Sequence, residues 1–351
     1  MKAVLMLEDG SYYTGEAFGK PGEASGEVVF NTCMSGYQEI TTDPSYNGQM
    51  VLMTYPLIGN YGFNDHDLES YKPHVQGFIV KELCDAPSNW RSSLTPEAYF
   101  TRHNILGIKG VDTRAITQHI RKFGSMFGII STESGNTDAL MARLRQKKAL
   151  KRNLVMEVTT KTAVHKSGPG KRVAVIDLGV KLNIVRSLQK RGCDVHVLPA
   201  FSTAAEVLSH EPDGILLSNG PGDPQDLGGV IAAVRALIGQ RPILGICLGH
   251  QVMGLALGGA TYKLKFGHHG GNHPVKDHVT GRCYITSQNH NYAVKEGPSA
   301  DVFVTHTNVN DGTVEGMRHR KLPVLGVQYH PEAAPGPQDS AYIFDEFLSL
   351  C

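Results

Sequence analysis

No CxxC pair occurs in this 351-residue sequence, and its six cysteines, at 33, 84, 193, 247, 283 and 351, lie far apart. In a chain this long that spacing excludes a disulfide framework and a paired-thiolate zinc pattern. Five of them read as small buried or partly buried hydrophobes; Cys247 has neighbours that set it apart. An excess of charge is also missing, since 34 basic against 33 acidic residues leave a net charge of +1. Nothing in that balance suggests attraction to nucleic acid or a membrane surface, since both need a concentrated basic face. No apolar run approaches the roughly 18 to 20 residues that span a bilayer. Glu8-Asp-Gly10 interrupts the N-terminal stretch where a signal peptide would continue, so the expected location is the cytoplasm. A GxxxxGK[ST] phosphate loop is absent too, as are internal repeats and low-complexity tracts.

What is present is the balance of a globular protein, 41% hydrophobic and 19% charged, at a length that accommodates two domains. The breakers of Lys166-Ser-Gly-Pro-Gly170 separate two textures. Residues 1–150 hold short apolar runs between turn signals such as Thr42-Asp-Pro-Ser45 and Gly59-Asn60. That pattern predicts a strand-rich α+β domain closed by helices near 112–123 and 138–149. Residues 151–170 read as a linker. From 171 to 351 strands and helices alternate: strands at Arg172–Ile176, Asp194–Leu198, Gly214–Ser218, Pro242–Ile246 and Val324–Tyr329, helices at 183–189, 202–209 and 228–239. Continuous apolar strands between helices predict an α/β, doubly wound, mostly parallel sheet. In such sheets functional groups gather outside the carboxyl ends of the strands. That rule points to the ends of strands 214–218 and 324–329, and to Cys247.

Cys247 stands between a strand and a helix-like stretch, in Gly245-Ile-Cys247-Leu-Gly249. This is the cysteine form of the G-x-S-x-G nucleophile elbow, whose sharp turn leaves no room for side chains two residues away. The turn presents the sulfur at a helix N-terminus, where the positive end of the dipole favours a thiolate. A thiolate nucleophile needs a base, and the base an orienting group. His330-Pro-Glu332 supplies both types, with Pro331 ending the strand ladder. Ser218-Asn-Gly220-Pro-Gly222-Asp-Pro224 reads as a backbone nest, whose Gly222 N–H would stabilise an oxyanion together with that of Leu248. Three histidines in Phe266-Gly-His-His-Gly-Gly-Asn-His-Pro-Val275 lack cysteine or carboxylate neighbours, so no metal is expected.

Gly245-Ile-Cys-Leu-Gly-His-Gln251, Ser218–Pro224 and His330-Pro-Glu332 together resemble the class I (triad) glutamine amidotransferases. Further segments resemble the small subunits of carbamoyl-phosphate synthase: Gly26-Glu-Val-Val-Phe-Asn-Thr32, Met34–Glu39, Thr42–Ser45, Thr54–Gly59, Val111-Asp-Thr-Arg114, Phe266–Val275 and Pro335-Gly-Pro337. The likeness covers essentially the whole chain. It implies a Cys247–His330–Glu332 triad that hydrolyses glutamine through a glutamyl thioester. It implies glutamine contacts at Ser45, Gly220, Gly222, Leu248, Gln251, Asn289, Asn291 and Tyr292, and no cofactor in this chain. ATP, Mg²⁺ and bicarbonate chemistry then belong to a large-subunit partner that receives ammonia through an internal tunnel and makes carbamoyl phosphate for arginine or pyrimidine synthesis. Asn291 stands where Gly is expected in some relatives, and Tyr292 where Phe is expected. Competing readings are the amidotransferase of another synthase, disfavoured by residues 1–150, and a non-catalytic scaffold, disfavoured by the complete triad.

Overall fold

The computed structural model describes residues 1–133, 136–295 and 299–351. Two compact units emerge, one of Met1–Arg152 with Lys265–His269 and one of Asn153–Leu264 with Gly270–Cys351. Within the 151–170 stretch, Leu154–Val158 form a short helix and Val164–Lys166 an edge strand, both in the second unit.

In the first unit, strands β1 (Lys2–Leu7), β2 (Tyr12–Gly19), β3 (Glu23–Asn31) and β4 (Gln49–Met53) are followed by β5 (Leu57–Ile58), β6 (Gly77–Ile79), β7 (Glu82–Leu83), β8 (Leu106–Lys109) and β9 (Met126–Ser131). Seven of them close into a barrel in the order β1-β2-β8-β6-β4-β3-β9, while β5 and β7 pair separately. The two-residue period of the strands divides their side chains between two cores. Val28, Phe30, Met50 and Leu52 join one cluster; Val29, Val51 and Met53 join another. Helices α1 (Tyr37–Thr42), α2 (Pro96–Arg102), α3 (Thr113–Phe123) and α4 (Thr137–Lys148) complete the unit. The last two lie where helices were expected. Asp112 caps α3 by accepting from the Ala115 N–H, and Gly124, at φ 103°, ends it. A barrel was not foreseen, because closure is a property of pairing between strands and not of any one of them.

The second unit begins with α5 (Leu154–Val158) and β10 (Val164–Lys166). It continues with β11 (Arg172–Asp177), α6 (Leu182–Lys190), β12 (Asp194–Pro199), α7 (Ala204–Ser209), β13 (Gly214–Leu217), α8 (Gly228–Leu237), β14 (Ile243–Ile246) and α9 (Leu248–Ala256). After these come β15 (Thr261–Asp277), β16 (Cys283–Val294), β17 (Val302–Asn308), β18 (Val314–His319), β19 (Val324–Val327) and α10 (Tyr342–Leu350). One ten-stranded sheet runs β10-β12-β11-β13-β14-β19-β18-β17-β15-β16. The five strands β12-β11-β13-β14-β19 are parallel, the α/β core that the apolar runs predicted. Antiparallel strands extend that core on both sides, so parallel pairing makes up only its centre. Both faces of the centre are covered. Val173 and Val175 pack into the cluster of Phe344 and Phe347, whereas Ala174 and Ile176 pack into that of Val234 and Val252. Burial on both faces is why these strands read as unbroken apolar runs.

Candidate active site

Strand β14 lies between β13 and β19, so the three segments that leave these strands at their carboxyl ends stand side by side. They are Cys247, the Ser218–Gly222 loop, and the stretch leading to His330. The last ladder residue of β19 is Val327, three residues before His330, so the strand is shorter than the Val324–Tyr329 expected. His330 is held instead by its N–H donating to the Ser287 carbonyl of β16 at 2.9 Å.

Cys247 adopts φ 53°, ψ −106°, a conformation that strains any residue with a Cβ. Its N–H donates to Val327 of the neighbouring strand at 2.9 Å, and α9 starts at the next residue. The two flanking glycines turn out to have different reasons. A Cβ on Gly245 would lie 2.7 Å from the Gly249 carbonyl oxygen, the collision across the elbow that the motif predicts. A Cβ on Gly249 would instead meet the Leu217 carbonyl oxygen of β13 at 2.2 Å. The second glycine therefore lets α9 press onto the sheet, and its own N–H donates to the Ser218 carbonyl at 3.0 Å.

His330 Nδ1 and Glu332 Oε1 are 2.7 Å apart, both side chains buried. Nε2, the ring's other nitrogen, has no partner in hydrogen-bond geometry, but Cys247 is near enough to act on its charge. Burial by itself disfavours the imidazolium; the charges of Glu332 and Cys247 outweigh it and hold the His330 pKa up at about 10. For Glu332 the order is the same with signs reversed. Burial would raise its pKa, yet Lys181 and His330 hold it down at about 2. The Cys247 sulfur also faces the Asn289 carbonyl oxygen at 3.5 Å.

Lys181 escaped the sequence reading. It is 2% exposed, its Nζ is 3.0 Å from Glu332 Oε1, and it donates to the Ala333 carbonyl. Asn183 Nδ2 adds a hydrogen bond to the Glu332 carbonyl at 2.8 Å, and the Asn219 side chain accepts from the Lys181 N–H at 3.1 Å. These residues follow β11. The signal that could have found them is the switch in strand order between β11 and β13, where doubly wound sheets place ligand groups.

The remaining expected residues are distributed as follows. Gly220 is pressed against the Leu178 carbonyl, 2.1 Å from where its Cβ would stand, and Gly222 has φ 93°. Leu248 opens α9, whose first amides lack intrahelical partners by the nature of a helix end. Gln251, 2% exposed, donates from Nε2 to the Tyr292 carbonyl at 2.8 Å and to Gln328 Oε1 at 3.1 Å. Asn289, Asn291 and Tyr292 are consecutive or near neighbours on β16. Asn291 is not among the described residues with positive φ, so this position makes no demand for glycine. Ser45 belongs to the first unit, buried in the turn Pro44–Tyr46, with its N–H on the Asp43 carboxylate. Among the other cysteines, Cys33 and Cys193 are buried and Cys84 and Cys351 half-buried, as expected, but Cys283 is exposed. Among the described residues, no helix is long and apolar enough to cross a membrane.

A family model for class-I glutamine amidotransferases matches residues 174–350, and one for the carbamoyl-phosphate synthase small chain, CPSase domain, matches residues 5–130. The carbamoyl phosphate synthase small chain of Clostridium perfringens is 53% identical over 348 residues, 99% of this chain and 99% of its own. The carbamoyl phosphate synthase pyrimidine-specific small chain of Bacillus subtilis is 51% identical and covers 100% of this chain and 96% of its own. Among solved structures, a putative GMP synthase protein from Thermoplasma acidophilum aligns with 52% of this chain and 94% of its own, at 25% identity and a TM-score of 0.47.

Proposed function

The chain belongs to the carbamoyl phosphate synthase small-chain family, and on that premise we propose that it hydrolyses glutamine at Cys247 and hands the ammonia to a large synthetase subunit. The observation that carries this reading is the strained elbow of Cys247 beside a buried His330–Glu332 pair. The Cys247 thiolate attacks the side-chain carboxamide carbon, and the C=O electrons move onto oxygen. Amides of Gly222 and Leu248 stabilise that oxyanion. When it collapses, the C–N bond breaks, and His330 gives its proton to the departing ammonia. The neutral imidazole then takes a proton from water, whose hydroxide attacks the thioester and releases glutamate and thiolate. Glu332 keeps the ring oriented and charged, and Lys181 keeps Glu332 ionised.

Gly220, Gln251, Asn289, Asn291 and Tyr292 are assigned to glutamine binding by their motifs, as is Ser45. ATP and Mg²⁺ act on the large subunit, the product serves arginine or pyrimidine synthesis, and ammonia travels through an internal tunnel. Glutamine hydrolysis is slow in the isolated chain, because partner binding selects the competent arrangement of the site.

Reconstitution with a large subunit tests this. Glutamine and free ammonia should each support carbamoyl phosphate formation, and a Cys247→Ser protein should lose the first while keeping the second. Retention of the parental glutamine rate by that variant would sink the assignment.

A further inference from the structure

A run of buried polar side chains leads away from Gln251 into the antiparallel half of the sheet, and the mechanism above makes no use of it. Gln251 donates from Nε2 to the Tyr292 carbonyl, which also faces His290 Nδ1 at 2.8 Å. His290 Nε2 lies 2.8 Å from Gln288 Oε1. Gln288 in turn donates to Glu315 Oε2 at 2.9 Å and to the Thr286 hydroxyl at 3.1 Å. The other Glu315 oxygen accepts from Asn308 Nδ2 at 2.9 Å. Glu315 and Gln288 are 0% and 1% exposed, so the carboxylate end of the array is interior.

Its chemistry has one consistent orientation. A carboxylate only accepts, so both amides that meet Glu315 present their nitrogens to it. Asn308 is locked in that sense because its Oδ1 accepts from the Asn310 N–H at 2.9 Å. Gln288 therefore shows its oxygen to His290, whose second nitrogen meets the Tyr292 carbonyl, also an acceptor. Both ring nitrogens of His290 thus face oxygen atoms, one of Gln288 and one of Tyr292. At the far end, the Tyr292 carbonyl can be matched only by the nitrogen of Gln251. A side-chain amide otherwise turns over readily about its last torsion; here it cannot. The polar atom of Gln251 left over is its oxygen, an acceptor offered to a donor group of the substrate.

We propose that Glu315 is a positioning residue for glutamine, anchoring through Gln288 and His290 the Tyr292 carbonyl that orients Gln251. The inference rests on the reading of Gln251 as a glutamine ligand. Unsatisfied groups inside the protein are costly, so removing one member forces the others to find new partners. A Tyr292 carbonyl that shifts with His290 would carry the Gln251 amide with it and move its oxygen away from the substrate donor.

The test compares Glu315→Leu, Gln288→Met and Glu315→Gln, each in complex with the large subunit. The first two should raise the KM for glutamine ~10-fold or more with kcat changed by less than ~3-fold, the pattern of lost ground-state binding. Ammonia-dependent synthesis should stay at the parental rate. Glu315→Gln should recover most of the parental KM, because the Gln288 amide can turn round, accept from the new amide and donate to a neutral His290. If Glu315→Leu fails to fold, Gln288→Met, which keeps volume and breaks the array at its middle, decides the matter. A folded Gln288→Met protein with parental KM overturns the proposal, as does a loss confined to kcat or a Glu315→Gln variant as impaired as Glu315→Leu. A parental complex that uses ammonia but not glutamine would instead sink the amidotransferase reading on which the proposal stands.

Discussion

His330, Glu332 and Lys181 form a charge sequence in which each group is stabilised by the next, and these three and Cys247 can each be removed separately. Replacing Cys247 by Ser should lower glutamine hydrolysis by about 10³-fold or more, as loss of a triad nucleophile does, with ammonia-dependent synthesis by the complex as the internal control. Lys181→Met leaves the Glu332 carboxylate buried without its cation, a change of the class that costs about 3–5 kcal/mol. The pH dependence follows from the two shifted groups. Glu332 has a folded pKa depressed to about 2, so its contribution is present above the ordinary carboxylate range and lost as pH falls through about 2. Without Lys181, burial moves that pKa up, and acid unfolding should begin at higher pH in Lys181→Met than in the parent. His330 has a folded pKa raised to about 10, so its contribution is complete below the ordinary histidine range and fades as pH rises through about 10. Thermal melts of the parent from pH 7 to 10 should show that decline, and Glu332→Gln should flatten it. Cys247, His330 and Glu332 were legible in the sequence because each sits in a local motif. Lys181 was not, because a lysine after Asp177-Leu-Gly-Val180 has no local signature, and its partner is about 150 residues away in the chain.

The elements that carry these residues were legible wherever both faces are buried. Strands β11 to β14 are unbroken apolar runs, and the helices between them have their expected bounds to within two or three residues. The glycines of α8 and α9 give a contrast that separates packing from propensity. Gly249→Ala places a methyl group 2.2 Å from the Leu217 carbonyl oxygen, so α9 must lift from β13. Overpacking of this kind typically costs about 1–3 kcal/mol, and here it should also displace the elbow and glutamine turnover with it. A Cβ on Gly229, in α8, meets nothing within 4 Å. Gly229→Ala should therefore be neutral or stabilising by up to about 1 kcal/mol, from helix propensity alone. Urea denaturation of the two variants checks the pair, and equal stabilities would contradict the packing assigned to Gly249.

At the scale of the molecule, the chain makes two units, and the first is discontinuous in sequence. Residues 265–269 return to it: Ser125 donates to the Lys265 carbonyl at 2.8 Å, Thr32 to the His269 carbonyl at 3.1 Å, and Phe266 packs 5.7 Å from the Phe30 ring. A fragment ending at residue 152 lacks these contacts. Expressed alone, residues 1–152 should show a lower urea midpoint by circular dichroism than the same residues carrying 265–269 on a flexible linker. Identical midpoints would mean that the returning segment adds nothing to the barrel. The sequence by itself singled out Cys247, His330 and Glu332 and determined the parallel centre of the sheet, since elbows, strand ends and two-sided burial are written in runs of a few residues. Only the tertiary structure decided the barrel closure, the antiparallel strands that flank the parallel ones, the lysine beneath Glu332, and the buried array from Glu315 to Gln251. Each of those depends on pairing between segments tens to hundreds of residues apart, where the energy belongs to the contact and not to either partner alone.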